Sequence, residues 1–236
     1  MKEVLGEQEM ILAIDTASKT ASVALVEQGG VAAEYSILSE KTHSRVILPM
    51  IEGMFSSAGK RPKDIRFIAC AEGPGSFTGL RIGAAVAKGL AYTLNKKIVP
   101  VSSLDALAYN VFINGRTICP MIDARKGHVY TSFYRYEEGR LVRLSDRMTL
   151  PVKEAMNKAK KFGMPVLFVG GGASIYAALL KDADGSQVVP QHISRSGAGV
   201  LGAYALGVLG ERHAVEGGVF IPVYMSRSQA EEDNGQ

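Results

Sequence analysis

The order of apolar and polar residues along the first hundred positions predicts strands and helices in alternation. Three segments predict strands, the last two joined as a hairpin by the turn QGG: MILAID (10–15), ASVALVE (21–27) and VAAEYSI (31–37). Apolar residues then recur at helical spacing over 43–58, where Pro49 predicts a kink or a late start, and again over 78–95. DIRFIACA before the second helix and KIVPV after it predict two more strands.

The second half of the chain repeats this order. TICPMID predicts a strand that ends in Asp123, as ILAID ends in Asp15, and a second hairpin (HVYTSFYRY and RLVRLSDRMTL) follows around the turn EEG. Helices are predicted over 151–161, 173–181 and about 198–211, and strands at PVLFVGG and QVV separate them. Two halves with the order β-β-β-α-β-α predict a duplicated α/β fold of the actin, Hsp70 and sugar-kinase (ribonuclease H-like) type.

This fold class predicts two lobes. The N-terminal lobe is expected to cover 10–105 and to be completed by a C-terminal helix at about 196–213, and the C-terminal lobe to cover 106–195. Proteins of that superfamily place a nucleotide between two similar lobes, where acids at strand ends hold phosphate and metal. The two halves share little sequence identity, so the duplication is inferred from the pattern of elements.

Composition limits the class of protein. The chain has 236 residues, of which 47% are apolar and 21% charged, so it can bury a core. No apolar run approaches the roughly 20 residues that span a bilayer. Residues 1–9 lack the apolar segment of a signal peptide and are interpreted as a short leader before a second possible start at Met10.

The cysteines indicate a cellular compartment, and the charge indicates which partners are possible. Cys70 and Cys119 lie in strand-like segments without C-x-x-C spacing, which predicts buried thiols in a cytoplasmic protein. The net charge of +4 and the pI of about 9.0 permit an RNA or another acidic partner. Because the charges are scattered along the sequence, they do not require one.

Two short motifs carry the candidate chemistry of the N-terminal lobe. Asp15 ends the first strand and Thr16 follows it. In an ATP-using relative, an acid at this position would hold a metal-bound water and the hydroxyl would approach phosphate. The alternative is a structural carboxylate that caps the next turn. The glycine-rich motif GPGSFTG precedes a helix, so the amides at Gly75 and Ser76 form a weak candidate anion site. The motif lacks both the G-K-[ST] ending of a Walker A loop and the glycine spacing of a dinucleotide fold.

Two rows of side chains run along the helix behind this turn, each with one residue every four positions. The small row is Gly79, Gly83, Ala87 and Ala91, and the large row is Ile82, Val86, Leu90 and Leu94. Each glycine costs about 1 kcal/mol of helix propensity relative to alanine, so close packing must offset that loss. The small row permits the close approach of another segment, either inside this chain, as for most helices, or on a partner protein.

The sequence lacks the spacings that mark common catalytic centres. The four histidines, His43, His128, His192 and His213, form no H-x-x-x-H or H-E-x-x-H pair. Ser76 is not flanked as in the G-x-S-x-G motif of serine hydrolases. Nothing in these spacings supports a helix-borne metal site, and His43 is interpreted as a capping or packing residue at the start of the first helix.

Five segments together closely resemble one family of bacterial proteins: ILAIDTASKTASVALVE, THSRVILPMIE, GPGSFTGLRIGAAVAKGLAY, VSSLDALA and IDARKGHVYTSFY. Over about residues 10–135 the chain is similar to the TsaB family, formerly YeaZ. The resemblance implies a part in making N6-threonylcarbamoyladenosine (t6A) at position 37 of tRNAs that read ANN codons, as a non-catalytic partner (a pseudoenzyme) of the transferase TsaD. TsaD binds its metal through an H-x-x-x-H pair; the matching positions here are Ser103 and Leu107, which cannot replace two imidazoles.

The resemblance also implies where this chain would meet its partners. Dimers of the family form through the two N-terminal helices, here 43–58 and 78–95, so the small row is expected to face a partner. The predicted interface residues are Val46, Met50, Met54, Gly79, Leu80, Ile82, Gly83, Val86, Ala87 and Leu90. One surface would serve a TsaD-like subunit and, in competition, a second copy of this chain. A TsaE-like ATPase would dock near the junction, and tRNA would be reached through the complex.

The resemblance implies no cofactor required by this chain, with at most a residual ATP or ADP contact at Asp15, Thr16, Gly75 and Ser76. The alternative function is a small actin-like ATPase or kinase that uses Asp15, Gly75 and Asp123 around a nucleotide. A peptidase, suggested by the older description of the wider family as glycoproteases, has neither a metal pair nor a triad to support it.

Overall fold

The computed structural model describes residues 9–28, 30–38, 43–180 and 185–225. Residues 1–8 of the predicted leader lie outside them. The chain divides into two compact units, residues 1–101 with 197–222 and residues 102–196 with 223–236. No helix in the described part of the chain is both long enough and apolar enough to cross a bilayer.

The first unit contains a five-stranded sheet with helices packed against it. Its strands lie in the order β3-β2-β1-β4-β5, with β1 antiparallel to β2 and parallel to β4. The elements are β1 (Met10–Asp15), β2 (Thr20–Glu27), β3 (Gly30–Leu38), α1 (His43–Ala58), a 3-10 turn (Pro62–Asp64), β4 (Ile65–Gly73), α2 (Phe77–Leu94), β5 (Ile98–Ser102) and, from late in the chain, α7 (Ala198–Tyr204).

The central strand β1 is buried along its whole length. Leu12 and Ile14 belong to an apolar cluster that includes Met50 and Met54 of α1. Ala13 faces α7, where an ideal Cβ built on Gly202 would lie 2.9 Å from the Ala13 Cβ. Because successive side chains of a strand point to opposite faces, both faces of β1 are covered, which explains the uninterrupted apolar run of the sequence.

The second unit repeats this plan. Its main sheet has the order β10-β7-β6-β11-β12, in which the leading strand β6 is antiparallel to β7 and parallel to β11. The elements are α3 (Ser103–Tyr109), β6 (Thr117–Arg125), β7 (His128–Thr131), β8 (Tyr134–Glu137), β9 (Arg140–Arg143), β10 (Met148–Pro151), α4 (Val152–Lys161), β11 (Val166–Val169), α5 (Gly171–Ile175), α6 (Ala177–Leu180) and β12 (Gln187–Val188). The duplicated α/β fold predicted from the sequence is confirmed.

The second hairpin differs from the prediction. The segment HVYTSFYRY forms two strands, β7 and β8, because the chain turns inward at Ser132 and Phe133. Ser132 donates from its hydroxyl to the Ser145 carbonyl over 2.8 Å, and the Phe133 amide donates to the Ser145 hydroxyl over 3.2 Å. The predicted turn at EEG joins β8 to β9 outside the main row of strands, and β10 takes the place that β3 has in the first unit.

Two helix predictions also need correction, and one helix was missed. The predicted helix at 173–181 is two short helices, α5 and α6, and Lys181 lies outside the described residues. The last helix is regular only as α7; it continues as a π-helical turn (Ala205–Leu209) and a 3-10 turn (Glu211–His213). Gly210 separates these two turns with a φ of 65°, a left-handed conformation that favours glycine. The short helix α3 was not predicted at all.

Candidate functional site

The turn between β4 and α2 is held against the loop that follows β1. The Ser76 amide donates to the Ala17 carbonyl over 2.7 Å, so this amide already has a partner inside the protein. Ser76 is also the N-cap of α2, because its hydroxyl accepts from the Gly79 amide over 3.2 Å. The turn therefore fixes the direction in which α2 leaves the sheet.

Three glycines allow this close approach. An ideal Cβ on Gly75, Gly79 or Gly83 would lie well inside 3.0 Å of an atom of the Thr16–Ala17 loop, a distance that real Cβ atoms essentially never show. For Gly75 and Gly79 that atom is a backbone carbonyl oxygen, which cannot move away without moving the loop. Thr16 completes the arrangement by donating from its hydroxyl to the Gly79 carbonyl over 2.8 Å.

The small row therefore packs inside the chain, and the expectation that it faces a partner is wrong. Gly79, Gly83 and Ala87 are buried against the loop after β1 and the core of the first unit. The same holds for three other predicted interface residues, Met50, Met54 and Leu80, which are buried apolar core residues. The alternative that was left open, packing inside the chain, is confirmed for these positions.

Four predicted interface residues remain partly accessible, namely Val46, Ile82, Val86 and Leu90, which pack against the edge of the same core cluster. Beside them on α2, Ala85 and Gly89 are exposed, and Tyr92 is 91% exposed. We call Ile82, Ala85, Val86, Gly89 and Tyr92 the outer face of α2. Gly89 differs from Gly75 and Gly79 in its surroundings, because an ideal Cβ on Gly89 would meet no atom of the described residues within 4 Å, the adjacent helix backbone aside.

Asp15 and Asp123 have the same role at the ends of the two leading strands. Asp15 is 1% exposed, and its carboxylate accepts from the Ala17 amide over 2.9 Å. The Asp123 carboxylate accepts from the Arg125 amide over 3.1 Å and from the Tyr176 hydroxyl over 3.2 Å. In each unit the acid thus caps the turn that follows its strand. Nucleotide or anion binding at Asp15, Thr16, Gly75 and Ser76 stays a prediction.

The two positions that the resemblance matches to a metal-binding pair, Ser103 and Leu107, lie on α3. Ser103 and Leu107 are four residues apart on this helix, so they share one face, and they are 1% and 2% exposed. The Ser103 hydroxyl has no hydrogen-bond partner among the described residues. The described part of the chain contains no group of three or more His, Cys, Asp or Glu side chains arranged to hold a metal ion.

A polar cluster next to these positions had no signal in the sequence. The Tyr134 hydroxyl donates to Asp105 Oδ1 over 2.6 Å, and Arg147 Nη2 lies 3.4 Å from Asp105 Oδ2. Burial, and then the Asp105 charge, raise the pKa of Tyr134 above its ordinary value, so the phenol stays protonated as the donor. These three residues come from α3, β8 and the segment before β10, and only the fold brings them together.

The remaining candidate residues have structural surroundings. His43 Nε2 lies 2.9 Å from the Ser18 carbonyl and is therefore the protonated nitrogen, so this side chain ties α1 to the loop after β1. Cys70 and Cys119 are buried and unpaired by disulfides. Burial raises the pKa of both thiols, that of Cys119 to about 12, which keeps both side chains neutral.

Comparisons with known proteins agree on one family. The family model described as "TsaD: tRNA N6-adenosine threonylcarbamoyltransferase" matches residues 10–233. The tRNA threonylcarbamoyladenosine biosynthesis protein TsaB of Bacillus subtilis is 34% identical over 226 residues, which cover 94% of this chain and 96% of that protein. The structure of YeaZ from Pseudomonas aeruginosa matches with a TM-score of 0.76 at 25% identity, over 92% of this chain and 100% of that one. Component A of (R)-2-hydroxyglutaryl-CoA dehydratase from Acidaminococcus fermentans shares the fold alone, with a TM-score of 0.50 at 12% identity over 81% of this chain and 96% of that one.

Proposed function

The chain belongs to the TsaB family of tRNA threonylcarbamoyladenosine biosynthesis proteins, and from this we propose that it is a non-catalytic subunit that binds and activates a TsaD-like transferase in t6A synthesis. TsaB and TsaD share a family, so a subunit of this kind would pair two related folds, of which one carries the chemistry. Three features of the described residues support this proposal.

The observation that carries the proposal is the chemistry of α3. Ser103 and Leu107 have the spacing of an H-x-x-x-H pair and lie on one buried face of the helix. Leucine has no lone pair, and a serine hydroxyl is a poor metal ligand beside an imidazole. The Tyr134–Asp105 hydrogen bond next to this face fixes α3 to β8, which is a packing role rather than metal coordination.

The outer face of α2, rather than the small row, provides the surface that a partner would bind. Gly89 lowers helix propensity by about 1 kcal/mol relative to alanine, and none of the described residues packs so closely that it requires the missing side chain. Close approach of a helix from another protein would account for it. Leu48 on α1 is 51% exposed and Tyr92 is almost fully exposed, which provides apolar surface on both helices for such a partner.

Activation by this subunit requires no cofactor of its own. Two groups expected at a nucleotide site already have hydrogen-bond partners on Ala17. The Ser76 amide donates to the Ala17 carbonyl, and the Asp15 carboxylate accepts from the Ala17 amide. Equilibrium dialysis of the purified chain with ATP and magnesium tests the alternative, because a small ATPase or kinase would bind and turn over nucleotide without any other subunit.

Add-back reconstitution tests the proposal. The reaction contains the TsaD-like transferase, the TsaE-like ATPase, threonylcarbamoyl-adenylate and a tRNA transcript, and t6A is quantified by mass spectrometry of the digested RNA. We expect no multiple-turnover synthesis without this chain and restored synthesis when it is added. Synthesis at the full rate without the chain, or by the chain without the transferase, would exclude the proposal.

A further inference from the structure

The strand β3 is the end strand of the first sheet, and no strand lies on its outer side among the residues that the structure describes. It has nine residues, spans about 30 Å, and is exposed at all positions except two that are half-buried. Every second residue of such a strand turns its N–H and C=O away from the sheet, where they can bond to another strand. We propose that β3 pairs in antiparallel orientation with β3 of a second copy of this chain.

The other strand edges in the described part of the chain are protected against pairing. β10 ends in Pro151, which has no N–H, and β12 has only two residues. β9 begins with Arg140 and ends with Arg143. The outer side of β5 is occupied by Val215, which exchanges two backbone hydrogen bonds with Ile98. Short strands, proline, charged side chains and covering segments are the usual means by which proteins prevent an edge from pairing.

The strand β3 has almost none of these protections. Its sequence GVAAEYSIL contains one charged residue, Glu34, and no proline, lysine or arginine. The Glu34 carboxylate is directed at α7 rather than at the edge, because it accepts from the Gly199 amide over 3.2 Å and from the Ser22 hydroxyl over 2.9 Å. A bulge leaves Ala32 without a partner on β2, so the regular part of the edge is 33–38. Along that part, the backbone groups are open to a second strand.

The two faces of β3 limit how two copies can pair. Ala33 and Tyr35 pack against the core cluster that includes α1, whereas Glu34 lies on the face of α7. Because side chains alternate along a strand, Ile37 belongs to the α1 face and Ser36 to the α7 face. Opposite residues of an antiparallel pair share one face, so two identical strands must pair symmetrically about one residue.

Charge selects the residue at the centre of this pairing. If Tyr35 is the centre, each Glu34 lies opposite the Ser36 hydroxyl of the second copy. If Glu34 is the centre, two carboxylates lie opposite each other, which is unfavourable. If Ser36 is the centre, each carboxylate lies opposite Leu38, an apolar side chain that cannot donate to it. Pairing about Tyr35 therefore suits a second copy, and its twofold symmetry leaves no further edge exposed.

This pairing surface is separate from the outer face of α2. The helix α2 packs on β4 and β1, whereas β3 lies two strands beyond β1 at the end of the sheet. The second copy would thus bind away from the helices to which the resemblance assigns it, and it would not compete there with a TsaD-like subunit. The proposal does not depend on the proposed function.

Sedimentation velocity over a series of concentrations tests the pairing. All variants carry Gly89→Arg, which places a bulky charge on the outer face of α2 and so opposes association through that face. We expect Gly89→Arg to form dimers and Gly89→Arg/Ile37→Lys to associate at least about 10-fold more weakly, because an edge lysine opposes strand pairing. The control Gly89→Arg/Ile175→Lys changes an exposed isoleucine of the second unit and should keep the dimer. A monomeric Gly89→Arg protein, or equal association of the two lysine variants, would overturn the proposal.

Cysteine cross-linking tests the centre of the pairing without relying on a destabilising charge. About Tyr35, residue 33 of one copy lies opposite residue 37 of the other, while the two copies of residue 37 are about 13 Å apart, too far for a disulfide. With oxidised glutathione as the oxidant, Ala33→Cys/Ile37→Cys should form covalent dimers on non-reducing gels, and Ile37→Cys alone should not. The native Cys70 and Cys119 are buried and do not interfere. Absence of cross-linking in the double variant, or equal cross-linking by Ile37→Cys alone, would overturn the pairing about Tyr35.

Discussion

Alanine at Gly83 tests the close approach of α2 to the loop after β1. On an isolated helix this change adds about 1 kcal/mol of stability. In the folded protein an ideal Cβ would collide with Thr16 Oγ1, the atom that donates to the Gly79 carbonyl. The hydroxyl must then move and lose a hydrogen bond of about 1 kcal/mol, and the added methyl overpacks the core by about 1–3 kcal/mol. We expect the free energy of unfolding to fall by about 1–3 kcal/mol.

A second substitution isolates the cause. With Thr16→Ala in place, the atoms nearest to the new Cβ are the β-carbon of residue 16 at 3.6 Å and Cys70 Sγ at 3.8 Å, both ordinary contact distances. Gly83→Ala should then be neutral or stabilising, which gives a coupling of about 2 kcal/mol in the double-mutant cycle. Gly89→Ala is the matched control on the same helix and should gain about 1 kcal/mol, because no atom of the described residues, the adjacent helix backbone aside, lies within 4 Å of its ideal Cβ.

Urea unfolding followed by circular dichroism measures all of these free energies. Stabilisation by Gly83→Ala as large as that by Gly89→Ala would refute the collision between the new Cβ and Thr16. An equal loss with and without the Thr16→Ala substitution would also refute it, because the Thr16 hydroxyl would then not be the atom that limits the approach.

Two further predictions concern buried polar groups of the second unit and the two thiols. Tyr134→Phe should lower the free energy of unfolding by about 1–3 kcal/mol, because it leaves the partly buried Asp105 carboxylate without its 2.6 Å donor; an unchanged midpoint of urea unfolding would contradict this. Cys70 and Cys119 should react with Ellman's reagent only after unfolding, because burial raises the pKa of both thiols, that of Cys119 to about 12. The reaction rate of the folded protein should not increase between about pH 7 and 9.5, whereas the unfolded thiols ionise above about pH 8.5. Rapid reaction of either thiol in the folded protein would contradict this prediction.

Hydrophobic periodicity was sufficient to predict the long elements. The helix predicted over 78–95 is α2 (Phe77–Leu94), and the one over 43–58 is α1 with the same bounds, Pro49 included. These segments bury a wide apolar face, so their pattern is strong. Recurrence of the same order in both halves was then enough to predict the duplicated sheet.

The elements that were missed depend on contacts across the chain. The segment after His128 has an unbroken strand pattern, but it breaks at Ser132 because Ser145, thirteen positions later, pairs with it. The helix α3 has only seven residues, too few for a periodic pattern to stand out. Local pattern carries no information about either feature.

The orientation of α2 could not be read from the sequence for a related reason. Gly79 and Gly89 are both glycines in one helix, and nothing local distinguishes them. Thr16, which lies 63 positions before Gly79, decides that Gly79 packs inward, while an ideal Cβ on Gly89 meets no described residue beyond its own helix. The small row was therefore assigned to the wrong surface, although its need for close packing was interpreted correctly.

The most direct test of the account is the dissociation constant between this chain and the TsaD-like transferase when the outer face of α2 carries a bulky charge. Gly89→Arg places that charge where the described residues leave open space, so the variant should fold and, like Gly89→Ala, gain up to about 1 kcal/mol of stability from helix propensity. Ala178→Arg, an exposed small residue of α6 in the second unit, is the matched control. The account predicts that Gly89→Arg weakens the complex at least about 10-fold and slows t6A synthesis at limiting subunit concentration, while Ala178→Arg does neither. Equal dissociation constants for the wild type and Gly89→Arg would contradict it.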